Sequence, residues 1–106
     1  MIKRFDIVWV NLDPTIGKEI KKTRPCLVIS PDELNENLDT VIVAPITSTI
    51  KQWPFRLTIK VNNSTSSIAF DQIRSVSKMR AGKPVEKLSG PNKKKVLQIL
   101  EAMFSE

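Results

Sequence analysis

The chain has no histidine and only one cysteine among its 106 residues, and these two scarcities exclude more chemistry than any residue it contains. A Ser-His-Asp or Cys-His nucleophile cannot be assembled, and no Cys/His spacing of the zinc-ligand kind exists, so a metal-free protein is the expectation. The lone Cys26 rules out an intrachain disulfide framework and fits a reducing cytosol. Its apolar neighbours point to an inert core thiol. Glycine occurs only at positions 17, 82 and 90, too far apart for a glycine-rich phosphate loop. No apolar run is long enough to cross a membrane, and the run after "MIKR" is too short for a secretory signal and broken by Asp6. A soluble, cytoplasmic protein without membrane partner is expected, and any catalysis falls to Arg, Lys, Asp, Glu, Thr or Ser.

What is present describes one small basic domain. The apolar share of 41% is that of a folded globular chain. Seventeen Lys and Arg against eleven Asp and Glu give a formal net charge of +6, which favours a polyanionic partner such as nucleic acid. A chain of this length buries a modest core, and a second copy would add buried area.

Periodicity predicts mainly β structure with helices. "FDIVWVNL", Phe5 to Leu12, reads as a first strand, followed by turn chemistry in "DPTIG". Cys26 to Ile29 makes a second strand. "SPDE" has the pattern of a capping Ser30, Pro31 at the first helical position and Glu33 three residues after the cap, predicting a short helix that fades near Asn37. "TVIVAPIT", Thr40 to Thr47, predicts a central strand buried on both faces, with Pro45 marking the end of its pairing. In "FRLTIKV" strict alternation turns Phe55, Leu57, Ile59 and Val61 inward and Arg56, Thr58 and Lys60 outward. "NNSTSS" reads as a turn, and Ile68 to Met79 as one long strand or two short ones with a slip near Asp71. From Pro91 to Phe104, Val96, Leu97, Ile99, Leu100, Met103 and Phe104 recur at helical spacing, so a terminal helix should pack on the sheet. Five or six strands and this helix predict a twisted antiparallel sheet curled into a small barrel, residues 1–106 forming one domain.

Chemistry is expected in the polar loops between strands. Arg24 stands before Pro25, which restricts it to extended backbone. Its guanidinium suits a bidentate grip on phosphate, although a lone arginine leaving a turn is more often simply solvated. Thr47 closes the buried strand, so its hydroxyl could donate from a stiff backbone or merely form a turn. Trp53 and Phe55 could stack unpaired bases, with Phe55's alternation favouring the core instead. Lys21, Lys22, Lys78, Arg80 and Lys83 could make a basic surface or a solvated one.

Three blocks, "DIVWVNLDPTIGKEIKKTRPCLVIS", "VIVAPITSTIKQWPF" and "AFDQIRSVSKMRAG", together resemble the MazF/PemK family of endoribonuclease toxins, in order and across almost the whole chain. The resemblance implies an SH3-like barrel, a homodimer, no cofactor, cleavage of single-stranded RNA at short motifs without metal, and inhibition by a cognate antitoxin. It implies Arg24 and Thr47 as catalytic partners, with Glu19 either catalytic or organising its loop. Asp71 and Gln72 correspond to family positions at the RNA groove, and Lys18, Lys21, Ser48, Trp53 and Phe55 are the further candidate RNA contacts. Ala69 and Lys18 stand where some members have arginine and histidine, so mechanisms using those groups do not carry over. The antitoxin is expected to be an acidic, flexible segment over the basic groove. A non-catalytic nucleic-acid-binding barrel, and a toxin of this fold acting on a protein such as a topoisomerase, are the other two readings.

Overall fold

The computed structural model describes residues 1–106. Seven strands follow one another as β1 (Asp6–Asn11), β2 (Thr23–Val28), β3 (Thr40–Thr47), β4 (Arg56–Val61), β5 (Ser64–Ala69), β6 (Arg74–Ser77) and β7 (Ala81–Lys87). The helix α1 (Asp32–Asn37) lies between β2 and β3, and α2 (Gly90–Phe104) ends the chain. All strand pairs are antiparallel, in the order β4-β5-β3-β2-β1-β7 with β6 also on β3. The sheet curls around two apolar clusters, giving the small barrel with a C-terminal helix that periodicity predicts.

The strand β3 organises the sheet. Its apolar residues serve both sides, with Ala44 and Ile46 in a core of eleven buried residues and Val41 and Val43 in a second core of eight. A strand apolar on both faces has no solvent side, hence the continuous run "VIVAPI". On one edge β3 pairs with β2, Cys26 facing Pro45. On the other it pairs with β6 through Val43, then with β5 from Ile46. Pro45 thus marks the end of the β2 register and a change of partner on the opposite edge, while the strand itself continues to Thr47.

Several expectations are corrected. Strand β2 starts at Thr23, so Arg24 is a strand residue and not the last residue of a loop. The turn after β4 is only Asn62 and Asn63, both with positive φ, as a two-residue hairpin requires; "STSS" belongs to β5. Of the two forms expected for Ile68 to Met79 the chain takes the second, two strands separated by a 3-10 turn at Phe70–Gln72, whereas β7, containing Pro84 on the sheet's edge, is additional. Strand counting failed here because "AGKPVEK" lacks an apolar alternation.

Ser30 does not cap α1. The position before the helix is Pro31, with no side-chain cap, and Ser30 is buried, its hydroxyl donating to Asn35 Oδ1 at 2.5 Å and accepting from the Ile42 amide at 3.0 Å. Tertiary bonding to β3 has displaced the local cap. In α2, Val96 is buried and Ile99, Leu100 and Met103 pack on the first core, whereas Leu97 and Phe104 face solvent. Lys93, Lys94 and Lys95 are exposed. Phe55 is not inward either: it precedes β4 with φ 63 and is 39% exposed.

Candidate active site

β2 pairs with β3 as far as Cys26 opposite Pro45; both strands run on, and alternation turns Arg24 and Thr47, two residues beyond, to the face that Cys26 and Pro45 share. Thr47 in turn faces Ser67 on β5, and Ser67 faces Thr58 on β4. Cross-strand partners point to the same face of a sheet, so Arg24, Thr47, Ser67 and Thr58 form a polar row along the rim of the second core. Two residues further along β2 and β3, the same face is Cys26 and Pro45, then Val28 and Val43. The site is therefore built where an apolar face gives way to a polar one.

Arg24 Nε donates to the Lys21 carbonyl at 2.9 Å. That bond orients the planar guanidinium and leaves both terminal NH2 groups available for a ligand. Thr47 is only 8% exposed, and its Oγ1 accepts from the Thr49 amide at 3.2 Å. With a lone pair so occupied, its O–H remains free to donate. Ser48 and Thr49 are exposed beyond it.

Beside this row lies a cleft of about 520 Å³ lined by Lys18, Glu19, Ile20, Pro45, Asp71, Gln72, Ile73 and Arg74. One wall is the loop between β1 and β2, long and polar but anchored throughout. Leu12 N donates to Lys22 O at 3.0 Å, closing the loop's base. Ile20 N donates to Gln72 Oε1 at 2.6 Å, Arg74 Nη1 to Leu12 O at 3.0 Å, and Arg80 Nη1 to the carbonyls of Asn11 and Asp13. Gly17 supplies the positive φ of 61 at the loop's tip. Glu19 accepts from the Ile16 amide at 2.7 Å, so its carboxylate organises the loop while also bordering the cleft.

Asp71 receives a bidentate bridge from Arg56, Nε to Oδ1 at 2.5 Å and Nη2 to Oδ2 at 2.9 Å. The Arg56 hydrogen bonds hold the Asp71 carboxyl below its ordinary value, against an opposing desolvation effect. The Arg56 side chain is 5% exposed, contrary to the outward position its alternation predicts. It lies under Trp53, 4.9 Å from the ring centroid, and Trp53 is 54% exposed. Cys26 is fully buried below the row, and burial pushes its thiol up to about 12, which fits an inert core cysteine.

Lys18, Glu19, Asp71 and Gln72 thus come together in the cleft, with Arg24, Thr47 and Ser48 on adjoining strand ends. Lys21 and Lys22 are exposed on the loop. Phe55 is set apart, in a separate shallow groove against α2 with Leu57, Ile99 and Ala102. Arg80 is a loop anchor, so it leaves the basic surface proposed with Lys78 and Lys83. Sequence reading missed Arg74 and Arg56 as site residues. Arg74 follows "DQ" by only two positions, and that proximity was the available signal.

A family model described as "PemK-like, MazF-like toxin of type II toxin-antitoxin system" matches residues 3–104. The Endoribonuclease toxin MazF of Escherichia coli is 28% identical over 99% of this chain and 96% of its own length. Endoribonuclease EndoA of Bacillus subtilis is 30% identical over 95% and 92%. Among solved structures, MazF from Deinococcus radiodurans superposes with a TM-score of 0.84 at 25% identity, covering 96% of this chain and 94% of that one. With the family model spanning nearly the whole chain and the barrel matching as well, the chain belongs to the PemK-like, MazF-like toxin family of type II toxin-antitoxin systems.

Proposed function

We propose that this protein is an endoribonuclease toxin that cuts single-stranded RNA at short motifs, without metal, using the RNA's own 2′-hydroxyl as nucleophile. Such a cut needs a base for the 2′-proton, an acid for the departing 5′-oxygen, and donors for the charge developing on the phosphorane. The observation that supports the reading is that Arg24, its guanidinium oriented by the Lys21 carbonyl, and Thr47, its hydroxyl free to donate, lie two residues beyond the Cys26–Pro45 pair on the same face. Arg24 grips two non-bridging oxygens and Thr47 donates to one of them. The bond to Lys21 O pre-orients the fork, so little rotational freedom is lost when phosphate arrives.

The 2′-oxygen attacks phosphorus as its proton passes to a base, the bond from phosphorus to the 5′-oxygen breaks as that oxygen takes a proton from an acid, and the products are a 2′,3′-cyclic phosphate and a 5′-hydroxyl. Glu19 borders the cleft with a carboxylate already accepting a loop amide, and its contribution is to hold Lys18 and the loop backbone against the substrate. Lys18, Lys21 and Ser48 meet the phosphodiester backbone, while Gln72, Asp71 and Trp53 offer polar edges and a ring to bases; Phe55, in its separate groove against α2, takes no part. The names of the curated relatives, endoribonucleases all, support the same activity. A toxin of a type II toxin-antitoxin system has an antitoxin partner; for this chain the proposal is an acidic, flexible antitoxin segment lying over the basic surface, and a homodimer.

The test is incubation of the protein with a long single-stranded RNA in EDTA, beside Arg24→Ala and Thr47→Ala. Discrete fragments from the wild type and intact RNA from both variants are expected. Binding without products from a folded wild type would overturn the nuclease reading in favour of a non-catalytic module, and sedimentation as a monomer at working concentration would remove the dimer.

A further inference from the structure

Arg56 is out of pattern. Thr58 and Lys60, its companions on that face of β4, are exposed, yet the Arg56 side chain is almost wholly covered. Opposite it in the β4–β5 ladder stands Ala69, whose single methyl leaves room for the guanidinium to reach past β5 to Asp71. The guanidinium spends two donors on both Asp71 oxygens and lies 4.9 Å from the Trp53 centroid. Lys51 Nζ is 5.2 Å from the same ring. One covered arginine side chain therefore holds both a carboxylate that borders the cleft and a tryptophan ring.

Both fixed groups keep free capacity. A carboxylate has about four acceptor sites, and Arg56 occupies two of them while the Asp71 side chain stays 36% exposed. More than half of Trp53 faces solvent. An ionised carboxylate accepts only, so it selects bases that present N–H donors on an edge; cytosine, adenine and guanine carry an amino group where uracil has a carbonyl and purine and hypoxanthine a hydrogen. A ring stacked on arginine offers a rigid surface for that same base.

We propose that Arg56 is a positioning residue for base selection: it holds Asp71 as acceptor and Trp53 as stacking platform for one nucleobase with an exocyclic amino group. This rests on the reading of the cleft as a site for single-stranded RNA. A structural ion pair would stabilise the barrel without distinguishing bases, so the discriminating quantity is a ratio of affinities.

The experiment uses labelled 2′-O-methyl oligonucleotides, which cannot be cut because the nucleophile is blocked, and measures binding by anisotropy. Three matched pairs are compared, cytosine against uracil, adenine against purine and guanine against hypoxanthine. The wild type should prefer the amino-bearing member of at least one pair by about tenfold, the effect of one charge-assisted hydrogen bond. Arg56→Gln should bring that ratio within about twofold of unity, Arg56→Lys should give an intermediate value, and Asp71→Asn should do as Arg56→Gln does. Should Arg56→Gln fail to fold, Asp71→Asn, altering a half-exposed group, decides alone. Equal affinities in the wild type, or a ratio unchanged in the folded variants, overturns the proposal; so does a loss of affinity shared equally by both members of each pair. Base preference without any RNA cleavage would leave this inference standing and remove the nuclease reading.

Discussion

Replacing Arg24 by lysine separates a catalytic guanidinium from a surface charge. Arg24 uses Nε for the Lys21 carbonyl and keeps two terminal NH2 groups for a phosphate. A lysine ammonium is a single point donor on a flexible stem and cannot hold that carbonyl and two phosphate oxygens in one plane. The substitution therefore preserves charge and removes one charge-assisted hydrogen bond to the transition state, worth about 1.5–3 kcal/mol. At about 1.4 kcal/mol per decade, kcat/KM should fall about tenfold to a hundredfold, mostly in kcat because the phosphorane carries the larger charge. Arg24→Ala removes charge and fork together and should cost about a thousandfold or more. Initial rates on an end-labelled RNA, with thermal melting to confirm folding, give the order arginine, lysine, alanine. An Arg24→Lys enzyme retaining half of wild-type activity would refute the argument, since a solvated charge tolerates that exchange.

Thr47→Val keeps the shape of a strand-end residue but removes both the free O–H and the acceptor for the Thr49 amide; kcat should drop about a hundredfold, with binding of uncleavable RNA within about threefold, and an active variant would exclude the hydroxyl from catalysis. Phe70 is 1% exposed in the larger core, so Phe70→Ala should cost about 3–5 kcal/mol in urea denaturation, and a loss under about 1 kcal/mol would contradict its central packing. Asp71, held low by Arg56, contributes stability that is present above the ordinary aspartate value of about 3.9 and is lost as pH falls through its lower folded value; carbon NMR should find a midpoint below about 3.9, and one at or above it would break the bridge's assignment.

Where side-chain periodicity governed an element, the sequence disclosed it. The β3 run "VIVAPIT" is buried on both sides, as a continuous apolar strand must be, and α2 follows its 3.6-residue stripe through Val96, Ile99, Leu100 and Met103. Long-range partners were not legible. Ser30 satisfied every local requirement of a helix cap, but its hydroxyl went to Asn35 and to the Ile42 amide. Arg56 alternated with inward residues and was read as solvated, because nothing local announces a carboxylate fifteen positions away. Phe55 failed for a related reason, a positive φ at the residue before β4 that breaks the alternation there. For the site, residue types and order were readable, whereas the pairing that unites them was not. That Arg24 and Thr47 share a face depends on Cys26 pairing with Pro45, which no motif announces.

The central claim is that the RNA's 2′-hydroxyl is the nucleophile, and its most direct measurement is cleavage of a substrate with one atom removed. Once cut sites are mapped on a long RNA, a short oligonucleotide containing one such site is made twice, all-ribose and with a single 2′-deoxy sugar on the 5′ side of the scissile phosphate. The first should be cut to 2′,3′-cyclic phosphate and 5′-hydroxyl ends while the second is bound but left intact. Cutting of the deoxy-substituted strand at the same phosphate would show that the attacking oxygen comes from water or from the protein, and would contradict the claim.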